Sequence, residues 1–149
     1  MEGDAKELPN LEALQQEAAR FAGTLSPADA KAMLITLSGE LGAGKTSFTQ
    51  GIAQAFGIEE SVTSPTFVLE KIYELPEAVA RGFKRLVHID AYRLEGGKTL
   101  APLGFDELME DKHNLIVLEW PEQVADALPP AHARITLKIA ETGRTISYA

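Results

Sequence analysis

A chain of 149 residues has the length of one ordinary domain and can bury a core without metal or disulfide staples. It has no cysteine, which excludes a disulfide scaffold, thiolate metal sites and thiol nucleophiles. Lys and Arg number 14 against 22 Asp and Glu, a net charge of −8, so the molecule as a whole repels nucleic-acid phosphate and anionic membrane, and contact with nucleic acid needs a local basic patch or a partner protein.

The first residues, Met1 to Glu7, are acidic and carry neither a basic region nor an apolar run, so no signal peptide is expected. No segment approaches the roughly 18 consecutive apolar residues of a membrane span, so none is expected, and the expected location is cytoplasmic. Asn10 is a plausible N-cap for an amphipathic helix whose apolar stripe is Leu11, Leu14, Ala18, Phe21 and Leu25. After the Ser26-Pro27 break, Met33 to Leu37 read as a strand buried on both faces. A glycine-rich turn follows, then a helix from Lys45 to Phe56 closed by Gly57.

Phe67 to Tyr73 is a second strand, separated from a third, Leu86 to Ile89, by a breaker-rich, hairpin-like excursion. Leu100 to Met109 suggest a bent helix interrupted by Pro102 and Gly104, and Leu115 to Leu118 a further strand. A short helix beyond Pro121, a turn at Pro129-Pro130 and two alternating strands, Arg134 to Ile139 and Arg144 to Tyr148, complete the chain. Apolar strands alternating with helices predict a single α/β domain over 1–149: a mostly parallel sheet, helices on both faces, antiparallel strands at the edges. In such sheets a ligand sits beyond the carboxyl ends of the strands.

The segment Gly39-Glu40-Leu41-Gly42-Ala43-Gly44-Lys45-Thr46 matches the phosphate-binding pattern of glycine, four residues, glycine, lysine and a hydroxyl residue, between a buried strand and a helix. Glycines let the backbone wrap a phosphate with its N–H groups turned inward, and the following helix adds its positive dipole end. Lys45 is placed to neutralise β- and γ-phosphates and Thr46 to ligate Mg²⁺. The metal also needs carboxylate oxygen, and two acids end apolar strands, Asp90 and Glu119. Spacing leaves open which of them ligates the metal and which positions water.

Ser61 to Phe67, with Thr63, Ser64 and Thr66, occupies the place of a γ-phosphate-sensing switch, and equally reads as an ordinary turn. His88, as a lone strand histidine, reads as packed and hydrogen-bonded, and Tyr92 and Arg93 as a surface cluster near Asp90. Trp120, the one tryptophan, reads as a packed aromatic or a base stack, and Arg144 as a turn residue or a phosphate or base contact.

Four ordered motifs, residues 39–46, Thr-Ser-Pro-Thr-Phe at 63–67, His-Ile-Asp-Ala-Tyr-Arg-Leu at 88–94 and Leu-Glu-Trp-Pro at 118–121, closely resemble the TsaE (YjeE) family from Leu8 to Arg144. The chain departs from the family pattern mainly at its carboxyl end, soon after Tyr148. The resemblance implies a P-loop NTPase-like fold and a Mg²⁺-dependent ATPase for threonylcarbamoyladenosine formation at position 37 of tRNA. It implies action with the TsaD and TsaB proteins, with tRNA met only through that complex. Carried over by motif, Glu40, Leu41, Gly42, Ala43, Gly44, Lys45, Thr46 and Ser47 hold ATP, Thr46 and Glu119 hold Mg²⁺, and Asp90 assists hydrolysis. Trp120 would stack on adenine, Asn10, Leu11 and Arg144 would be further nucleotide contacts, and Thr66 would belong to the switch. No arginine finger is evident in the chain, so hydrolysis is expected to be slow in isolation.

Two rival classes share the loop. A small-molecule or nucleotide kinase needs an arginine-rich lid, whereas Arg81, Arg85 and Arg93 are scattered. A GTPase-type binding switch carries Asp-x-x-Gly and Asn/Thr-Lys-x-Asp signatures, and neither occurs here.

Overall fold

A computed structural model describes residues 5–58, 70–92, 100 and 103–149. They form one seven-stranded sheet in the order β1-β7-β6-β2-β5-β4-β3, where β1 is Lys6–Leu8, β2 Met33–Ser38, β3 Glu70–Glu74, β4 Arg85–Asp90, β5 Asn114–Glu119, β6 Ala133–Ile139 and β7 Arg144–Tyr148. The four central strands, β6, β2, β5 and β4, run parallel, and β1, β7 and β3 are antiparallel additions. This is the expected α/β arrangement of a P-loop NTPase-like domain. The central runs Leu34-Ile35 and Leu115 to Leu118 are almost wholly buried because both faces of the sheet are covered.

On one face lie α1 (Leu11–Ala22) and α2 (Lys45–Ala55). Asn10 caps α1, its side-chain oxygen accepting from the Ala13 amide at 2.8 Å. Leu14, Ala18 and Phe21 pack on Phe48 and Ile52 of α2 above Ile35, Leu37 and Leu115. The two helices approach closely at Gly51, where a Cβ would lie 2.6 Å from that of Ala18. Among the described residues the opposite face is covered by α3 (Phe105–Met109) and two 3₁₀ turns, Pro121–Gln123 and Ala125–Ala127, over Leu34, Val87, Ile89, Ile116 and Leu118.

Three details differ from the sequence reading. β1 was not anticipated: only Leu8 of its three residues is buried, so it has no apolar signature and exists through pairing with β7. Of the bent helix expected over Leu100 to Met109, the described residues show five helical residues starting after Gly104, whose φ of 70° is left-handed and non-helical. The short helix beyond Pro121 is a pair of 3₁₀ turns. β3 and β4 pair antiparallel, as a hairpin-like excursion requires. The expected switch residues Thr63, Ser64 and Thr66, strand residues 67–69, and Arg93 lie outside the described residues.

Candidate functional site

The site lies where β2, β4 and β5 end together. β2 stops at Ser38, and Gly39 turns the chain with φ 154° beneath β6, where a Cβ would meet the Leu137 carbonyl oxygen at 2.5 Å. No other residue fits that crossing. The loop then delivers Lys45 and Thr46 into the first turn of α2, whose free amides and dipole face the loop. The register sets Asp90 of β4 directly beside Glu119 of β5, so both sequence-selected acids share one sheet end.

These residues enclose a hollow of about 380 Å³ lined by Leu41, Gly42, Gly44, Lys45, Thr46, Ser47, Asp90, Glu119 and Trp120. The other expected contacts stand outside that lining. Glu40 is exposed and Ala43 is buried beneath the loop. Asn10 is committed to its helix cap, and Leu11 is exposed one turn before Leu14, whose methyl lies under Gly44. Arg144 reaches the loop indirectly: its Nε and Nη2 donate to the Gly42 carbonyl at 3.1 and 2.9 Å, so β7 grips the loop from the side.

Lys45 is 5% exposed and folds back, donating to the Gly39 carbonyl and to that of Glu40 at 3.1 Å. Burial lowers its pKa from the usual lysine value, opposed by the negative field of Glu119, Glu122, Asp90 and Glu40. The ammonium is thus poorly solvated and stands to gain from an anion. Its Nζ sits 4.1 Å from the centre of the Trp120 ring, which also tilts against Tyr92 with centroids 4.9 Å apart. Trp120 is held there by a left-handed backbone, φ 61° and ψ 51°, uncommon for so large a residue, with its amide donating to the Leu37 carbonyl at 3.1 Å.

Glu119 is 2% exposed. Its Oε2 accepts from the Thr46 hydroxyl at 3.5 Å and lies 2.5 Å from Nε2 of His88, a wholly buried residue. Asp90 Oδ1 accepts from the Tyr92 amide at 3.0 Å. Sequence reasoning described His88 correctly as packed and hydrogen-bonded but did not connect it to Glu119. The available signal was parity: His88 lies two residues before Asp90 and therefore on the same face of β4.

The donors around the hollow suit Mg²⁺. A hydroxyl and carboxylates are hard oxygen ligands, and Mg²⁺ with a polyphosphate takes only one or two protein carboxylates and keeps several waters. Among the described residues no group of three or more His, Asp or Glu could hold a metal by itself. Nor, among those residues, is any helix long and apolar enough to cross a membrane.

A protein-family model described as "Threonylcarbamoyl adenosine biosynthesis protein TsaE" matches residues 8–146. The tRNA threonylcarbamoyladenosine biosynthesis protein TsaE of Treponema pallidum is 34% identical over 135 residues, 90% of this chain and 94% of that one. The protein of the same name from Streptomyces coelicolor is 40% identical over 105 residues, 70% of this chain and 67% of the relative. The crystal structure of Bacillus subtilis YdiB superposes with a TM-score of 0.76 at 29% identity, covering 99% of this chain and 84% of that one. By the extent of these matches, laid over a P-loop fold whose strand-end acids converge on the loop, the chain belongs to the TsaE family of tRNA threonylcarbamoyladenosine biosynthesis.

Proposed function

We propose that this chain, as a single domain, binds Mg·ATP at the strand-end hollow and hydrolyses it in support of threonylcarbamoyladenosine synthesis. It does so slowly alone and fully only with the TsaD and TsaB proteins. The observation that carries the reading is the convergence of Lys45, Thr46 and Glu119 in one hollow, with the Thr46 hydroxyl already directed at the Glu119 carboxylate.

The loop amides from Glu40 to Ser47 cradle the phosphates, and Lys45 leaves the carbonyls of Gly39 and Glu40 to meet the β- and γ-phosphates. Thr46 and Glu119 hold the metal. When bound, Mg²⁺ neutralises charge on the phosphates being separated. Asp90, beside Glu119 in the register, orients the attacking water. Arg144 keeps the loop in shape through Gly42, while Asn10 and Leu11 border the nucleotide from α1. A stack of Trp120 on adenine, which the family resemblance implies, requires its ring to turn away from Lys45. Thr63, Ser64 and Thr66 serve as the γ-phosphate switch in this reading.

Two arginines that a kinase lid would need are already engaged. Arg81 donates to the Ala22 and Gly23 carbonyls at the end of α1, and Arg85 to Asn114 and Asp111. This favours hydrolysis over transfer to a small acceptor. With a net charge of −8, the chain meets tRNA through its partners, and the reaction takes place in the cytoplasm. The test is phosphate release from Mg·ATP, with and without TsaD, TsaB and tRNA. Slow release that rises with the partners supports the reading, and indifference to them overturns the partner dependence.

A further inference from the structure

His88 lies outside the hollow's lining, yet it is wholly buried and its Nε2 stands 2.5 Å from the Glu119 oxygen that also faces Thr46. A carboxylate only accepts, so Nε2 carries the proton and donates. The other ring nitrogen, Nδ1, is buried with no hydrogen-bond partner among the described residues. A bare acceptor costs less there than an N–H without a partner would, which favours the same tautomer. The ring is wholly buried, and its one hydrogen bond among the described residues is to Glu119. In the register Val117 of β5 lies on one side of His88 and Lys71 of β3 on the other, and Leu86 stands two residues before it on the same face of β4.

We propose that His88 is a positioning residue: it fixes the rotamer of Glu119 so that this carboxylate meets the Mg²⁺ held with Thr46. The inference rests on the metal-binding reading above and extends it to a residue that touches neither nucleotide nor metal. A ligating group oriented by a buried hydrogen bond loses metal affinity when the orienting partner is removed, even though the ligand itself remains. His88 therefore governs how much Mg²⁺ the site needs, not whether the loop accepts a polyphosphate.

The test is calorimetric titration with AMP-PNP, in EDTA and across a Mg²⁺ series, on wild type, His88→Asn and His88→Gln. The glutamine amide reaches the position of Nε2 and the asparagine amide does not. For His88→Asn the half-saturating Mg²⁺ concentration should rise at least about 10-fold, metal-free affinity staying within about 2-fold, while His88→Gln stays near wild type. In a Glu119→Gln background the Asn substitution should change Mg²⁺ demand by less than about 2-fold, since the two residues act as a unit. Imidazole nitrogen shifts of the unmutated protein add a readout independent of variant folding. A proton on Nε2 supports the proposal, and one on Nδ1 overturns it.

Equal Mg²⁺ demand in wild type and His88→Asn overturns this inference alone, as does equal loss in the Asn and Gln variants. If wild type gains no affinity from Mg²⁺, the metal-binding reading fails and this inference falls with it.

Discussion

Two buried glutamates on the same side of the sheet are treated in opposite ways. Glu17 of α1, 3% exposed, is surrounded by donors: Lys6 Nζ at 2.8 Å, Arg20 Nε at 3.0 Å and Nη2 of the same guanidinium, and the Tyr148 hydroxyl. These bonds, the Arg20 contact foremost, hold its pKa down at about 2 against the cost of burial. Glu119, 2% exposed, accepts one close bond from His88 and one long bond from Thr46, and it borders a hollow. The first carboxylate is saturated and ties α1 to β1 and β7. The second is anchored on one side and can take a new partner on the other. Burial alone does not tell a structural acid from a working one; the number and closeness of the donors does.

The largest expected effect breaks the working side. Lys45→Ala should reduce phosphate release from Mg·ATP by at least about 100-fold, since it removes the buried ammonium that is proposed to meet the phosphates, while the urea unfolding curve keeps its slope. On the saturated side, Glu17→Gln should cost about 2–3 kcal/mol in urea unfolding without changing phosphate release per folded molecule. A loss of activity larger than the loss of folded protein would contradict that separation.

The same pair predicts a pH response. The folded pKa of Glu17 is depressed from 4.5 to about 2, so its contribution is present above pH 4.5 and is lost as the pH falls from there towards about 2. Unfolding free energy should decline across that window in wild type, and the decline should be shallower in Glu17→Gln. A slope unchanged by the substitution would mean that other carboxylates carry the acid response.

Smaller effects sharpen the contrast. Arg144→Ala should weaken nucleotide binding about 5-fold, because the grip on the Gly42 carbonyl shapes the loop without entering the hollow. Lys31 and Glu110 form an ion pair in which both side chains are more than half exposed. Lys31→Ala should therefore alter stability by no more than about 0.5 kcal/mol, and a larger shift would show that charge pairing matters here even at the surface.

Elements whose cause is local were readable from the sequence. Asn10 caps α1, the apolar runs at 33–37, 86–89 and 115–118 are strands, and the glycine pattern at 39–46 is a loop between strand and helix. Asp90 and Glu119 were placed at strand ends, and the structure sets them side by side. Elements whose cause is distant were not readable. β1 exists because β7 pairs with it, and Lys6-Glu7-Leu8 carries no sign of that. The link from His88 to Glu119 joins strands through a register that spacing along the chain does not encode. The Arg144 bonds to Gly42 likewise span 102 residues.

The position of Trp120 has an optical consequence. The sequence contains one tryptophan, and its indole lies 4.1 Å from the Lys45 ammonium. A cation at that distance perturbs the ring's excited state, so any ligand that draws Lys45 away changes the emission of the whole chain. With no second indole to dilute the signal, the protein reports the movement of Lys45, without a label, at the moment it occurs.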